Sequence, residues 1–121
     1  MIEPIFERSS FKFTSVSPAV YTLPSEGSGM DINVHFCPNC GTKVALTFER
    51  WPDRIGILAG TLDKPSAALA TKKNSKHIFV SEAVPGTILP SGFKVFERHA
   101  TENDGTPLEP LVHASPYVVG T

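Results

Sequence analysis

Asp31-Ile32-Asn33-Val34-His35-Phe36, Cys37-Pro38-Asn39-Cys40-Gly41-Thr42 and Lys43-Val44-Ala45-Leu46-Thr47-Phe48 follow one another without a break, and the fold turns on them. The first and third runs alternate apolar and polar residues. Ile32, Val34 and Phe36 share one face of the first, and Val44, Leu46 and Phe48 share one face of the third. A period of two is that of a half-buried antiparallel strand. The segment between them carries Pro, Asn and Gly, the residues that reverse a chain. The stretch therefore predicts a β-hairpin with a cysteine pair at its tip.

The same pattern extends outward. Phe11-Lys12-Phe13-Thr14 and Ala19-Val20-Tyr21-Thr22-Leu23 read as strands before the hairpin. Arg54 to Gly60 reads as a strand after it, and its two glycines point to a bulge or a close backbone approach. His77-Ile78-Phe79-Val80 and Phe93-Lys94-Val95-Phe96-Glu97 read as short later strands, and Ser66 to Ala70 as a brief helical turn. Helical periodicity is scarce, and eleven prolines cut up any long helix. The prediction is a mainly β protein.

A chain of 121 residues is the size of one domain and can bury a core without help from a metal. A formal net charge of −1 gives no electrostatic footprint for nucleic acid, and Lys72-Lys73-Asn74-Ser75-Lys76 reads as a solvated loop. No apolar run approaches the ~20 residues of a membrane span. Met1-Ile2-Glu3-Pro4 has neither the basic nor the apolar region of a signal peptide. Two cysteines three positions apart make a poor disulfide framework. The expected compartment is the cytoplasm.

Two residues between thiolates let both sulfurs face one ion, while Pro38 fixes a turn dihedral and Gly41 can take a left-handed conformation. Backbone N–H groups of such a turn can donate to the thiolates. Cys37 and Cys40 thus read as metal ligands, with zinc as the ion, or else as plain turn thiols. A thioredoxin-like site would place the pair between a strand and a helix. A structural zinc takes four ligands, and this sequence holds two cysteines. Of the four histidines, His35 falls on the strand face opposite Val34 and Phe36, and His77, His99 and His113 show no ligand spacing. Thr61, Asp63 and Pro65 read as turn builders, and Trp51 as a half-buried loop anchor.

Phe36-Cys37-Pro38-Asn39-Cys40-Gly41-Thr42, then Gly60-Thr61-Leu62-Asp63-Lys64-Pro65, then His77-Ile78-Phe79-Val80-Ser81, resemble the glutathione-dependent formaldehyde-activating enzyme family, which includes relatives of centromere protein V. The resemblance runs from about Phe6 to about Glu97. It implies small antiparallel sheets in a β-tent-like arrangement pinned by zinc. It implies a C-x-C-G cluster that joins the later C-x-x-C around a structural zinc. It also implies a C-H-C-x-x-C cluster around a catalytic zinc, which assists condensation of glutathione with formaldehyde. By position Cys37 and Cys40 match the later C-x-x-C, and the two upstream clusters are not in these residues.

The expectation is an N-terminally shortened member, with residues 1–100 as the family's β domain and 101–121 as a C-terminal tail. By resemblance it is a carbon–sulfur lyase-like zinc protein, catalytically impaired because the catalytic zinc cysteines are absent, and no catalytic residue is assigned. The alternative is a non-catalytic β domain for dimerisation or protein interaction, its metal lost or shared between chains. Three explanations stand: further ligands lie upstream, the domain folds without zinc, or Cys37 and Cys40 of two chains complete one site across a two-fold axis. Exposed sheet edge and apolar surface predict a homodimer. A small thiol adduct such as S-hydroxymethylglutathione is the ligand that the resemblance implies, with no nucleic acid and no membrane as partner.

Overall fold

The computed structural model describes residues 1–121, which form two compact units, Met1–Leu69 and Ala70–Thr121. The first unit is built on a sheet of five strands: β1 (Ile5–Glu7), β2 (Ala19–Pro24), β3 (Asp31–Phe36), β4 (Lys43–Phe48) and β5 (Arg54–Ile57). Their order is β1-β5-β4-β3-β2, with every neighbour antiparallel. β3 and β4 are the predicted hairpin, paired from Ile32↔Phe48 to Phe36↔Lys43 with a bulge between His35 and Phe36. β2 is one edge of the sheet and β1 is the other.

Register gives the two faces of this sheet different characters. Ala45 lies between His35 and Ile57, and Thr47 between Asn33 and Ile55, on one face. There Ala45, Ile55 and Ile57 form the buried core, covered by Phe11, Phe13, Val44 and Leu62. On the other face Val34 lies opposite Leu46 and Ile32 opposite Phe48, and all four are half-buried, as the alternation predicts. Val44, expected to share a face with Leu46 and Phe48, sits at the bulge and packs with the buried core instead.

Two local expectations are corrected. Phe11 to Thr14 belongs to no strand; both rings turn to the core, edge to face at 4.8 Å between centroids. The run from Arg54 ends as a strand at Ile57 and passes into a single turn of 3-10 helix at Ala59–Thr61, where the Thr61 hydroxyl donates to the Leu58 carbonyl at 2.8 Å. Close approach does occur at Gly56, where the Glu3 side chain occupies the space a Cβ would need. The helical turn read at Ser66 to Ala70 appears as 3-10 helix over Pro65–Ala68.

In the second unit, β6 (Lys76–His77) runs parallel to β8 (Lys94–Val95), which pairs antiparallel with β9 (Leu111–Val112). β7 (Ile88–Leu89) pairs antiparallel with β10 (Tyr117–Val118). Residues 101–121 thus contribute two strands to this unit. Its core is Val80, Leu89 and Val95, with Tyr117 and Val119 against them. The run His77–Val80 stops being a strand after His77, because Phe79 takes a left-handed conformation at φ 54°. That conformation is strained for an aromatic residue. The Phe79 ring is held edge to face on His99, with centroids 4.6 Å apart, and its N–H donates to the Arg98 carbonyl at 3.0 Å. No helix is long and apolar enough to cross a membrane. The molecule is mainly β, made of small sheets, as the sequence predicts.

Candidate metal centre at the cysteine turn

The β3–β4 turn is closed by its own backbone. The Cys37 N–H donates to the Thr42 carbonyl at 2.9 Å, and the Gly41 N–H donates to the Cys37 carbonyl at 2.8 Å. Gly41 sits at φ 76°, the left-handed conformation that glycine takes without a Cβ clash. This geometry leaves the Cys37 thiol partly covered and the Cys40 thiol exposed, both reduced. The Cys40 Sγ and the Thr42 hydroxyl are hydrogen-bonded at 3.1 Å. That hydroxyl, then the Thr42 backbone and the Cys37 thiol, hold the Cys40 thiol below the usual thiol range. Stabilised thiolate is the state that ligates a soft metal.

The histidines do not join the pair. His35 lies on the core face of β3, its ring 5.6 Å from that of Phe13 and its Nε2 hydrogen-bonded to the Thr47 hydroxyl at 2.9 Å. Burial, then the charge of Arg8, lowers its pKa. His77 packs on Phe93, His99 on Phe79, and His113 stacks on Tyr117 with the two rings nearly parallel. Nowhere do three or more His, Cys, Asp or Glu side chains converge as a metal-binding group. A closed tetrahedral zinc site needs four donors. One copy of residues 1–121 supplies two thiols here, so the donor set fits half of such a site and not a whole one. A surface depression of about 420 Å³ lined by Glu7, Arg8, Ser9 and Asp53 contains neither cysteine.

A small β protein with a dithiol hairpin turn is the class that fold and site define. The family model for the glutathione-dependent formaldehyde-activating enzyme matches residues 1–82, and the chain belongs to that family. Comparison with curated proteins and with solved structures gives no match. The matched span takes in the whole five-stranded sheet, the cysteine turn, the Thr61 turn and β6.

Proposed function

We propose that this chain is a non-catalytic member of the formaldehyde-activating family, a homodimeric β domain in which Cys37 and Cys40 supply two ligands of a structural zinc. The observation that carries this reading is the turn itself. Two thiols stand on a hairpin tip closed by its own backbone hydrogen bonds, with no third donor beside them. Catalytic zinc needs protein ligands plus an open position for substrate or water. The exposed edge and the half-buried apolar face of the sheet favour association with a second copy.

The test is zinc content per chain and mass in solution, with glutathione and formaldehyde turnover assayed on the same preparation. The expected result is a dimer whose rate does not exceed the uncatalysed condensation. A monomer at micromolar concentration would sink the association reading. The family match favours a second reading, a zinc-dependent carbon–sulfur lyase acting on a glutathione–formaldehyde adduct. Zinc-dependent turnover abolished by Cys37→Ser would establish that reading in place of the first.

A further inference from the structure

β2 is an open edge of six residues, Ala19-Val20-Tyr21-Thr22-Leu23-Pro24, with no charged side chain on it. Natural sheets usually blunt such an edge with charge. The hydrogen-bond phase of β2 follows from its far end, where the Ser25 N–H donates to the Met30 carbonyl at 2.8 Å. In an antiparallel ladder the bonded pairs alternate. Ser25 with Met30, Leu23 with Ile32, Tyr21 with Val34 and Ala19 with Phe36 are therefore the bonded pairs. The other side of β3 agrees, since Glu49 donates to the Asp31 carbonyl at 3.0 Å and so puts the odd-numbered residues of β3 in phase with β4. The backbone groups of Val20, Thr22 and Pro24 consequently point out of the sheet, and continuing the phase by one step adds Pro18, just before the strand.

Proline has no N–H. The outward edge thus reads Pro18, Val20, Thr22, Pro24, with two donors in the middle and none at either end. This pattern is symmetric about Tyr21. We infer that β2 is a homodimerisation edge, pairing antiparallel with β2 of a second copy about a two-fold axis at Tyr21. In that register Val20 faces Thr22 of the other copy in both directions, and each Pro18 faces a Pro24. All four outward N–H groups then find carbonyls. Sliding the register by two residues either way sets a proline opposite Val20 or Thr22 and leaves that residue's carbonyl without an N–H. Tyr21, 62% exposed, meets its own copy at a non-bonded position, where side chains approach most closely. Val20, 51% exposed, is covered at the same time. The two prolines select one register and do not block pairing.

This inference rests on the homodimer reading and says how the copies meet. It also separates the dimer from the metal. Cys37 follows Phe36, which lies opposite Ala19, so the two cysteine turns stand at opposite ends of the joined edge. Strand rise and spacing put them more than ~20 Å apart, too far to share one ion.

Sedimentation at micromolar concentration with chelator present tests it, with Val20→Pro and Thr22→Pro beside the unaltered chain. Proline at either position removes only an outward donor, so the β2–β3 ladder stays whole and the mass halves. A second measurement covers loss of fold. In a Cys37→Ser, Cys40→Ser background, oxidised Tyr21→Cys gives a covalent dimer, because a non-bonded antiparallel pair falls within disulfide reach. Leu23→Cys does not, because it faces Ala19 of the other copy. An unaltered chain that is monomeric both with and without chelator removes the homodimer reading altogether. A dimer that ignores both prolines and fails to cross-link at Tyr21, or one that chelator dissolves, overturns the edge and leaves the homodimer reading standing.

Discussion

Gly41 carries the conformation of the cysteine turn. Its φ of 76° lies in open space, so a side chain there meets no neighbour and only the backbone objects. Gly41→Ala is expected to lower stability by about 1–2 kcal/mol, the cost of a left-handed L-residue, in urea unfolding. Glu3 is a second residue with a readable energy. Its Oε1 is buried with no hydrogen-bond partner, and burial raises its pKa. A carboxyl whose folded pKa lies above its unfolded one costs nothing while protonated in both states. The cost develops as pH rises through the unfolded and then the folded pKa, and it persists above them. Glu3→Gln is therefore expected to be the more stable form at neutral pH, by ~1 kcal/mol. The gap should close below the usual carboxylate range, as urea midpoints across pH would show.

At the scale of elements, β5 is the strand the first unit depends on most, because Ile55 is the only large side chain fully buried. Ile55→Ala should cost about 2–4 kcal/mol, read from chemical unfolding. The hairpin of β3 and β4, the strand β2 and the left-handed glycine were legible in the sequence, since alternation and turn chemistry are local. β1 was not, because three residues carry no period, and neither were β7, β9 and β10 at two residues each. Alternation also could not show which face would be buried. The apolar row of Ile32, Val34, Leu46 and Phe48 stays half-exposed, while little Ala45, lying between His35 and Ile57, is fully covered. What covers it are Phe11 and Phe13, whose period of two looks like a strand and serves as a lid. At the site, the cysteine spacing was legible. The Thr42 hydroxyl on the Cys40 Sγ was missed, though a Thr two residues after a cysteine is within reach of it.

For the whole molecule, both units hold apolar cores that include no cysteine. If the proposed zinc binds at the turn, it lies outside both cores, unlike the ion of small zinc domains that unfold when chelated. Chelator, or the double change Cys37→Ser with Cys40→Ser, is expected to move the thermal midpoint by less than about 4 °C, which is the shift of roughly 1 kcal/mol in a domain of this size. A collapse of the midpoint on chelation would show that the turn's ion is part of the core.

Gly56 and Glu3 also constrain which substitutions can follow which. The atoms nearest to a side chain at position 56 all belong to the Glu3 side chain lying over it, the movable end of a flexible chain. Gly56→Ala would push that carboxylate into water and so relieve the burial that Glu3→Gln relieves by removing charge. The two changes address one defect, and their effects should not add. In a lineage of such chains, a small residue at position 3 opens position 56 to drift. While glutamate remains, any newcomer at 56 must first displace it.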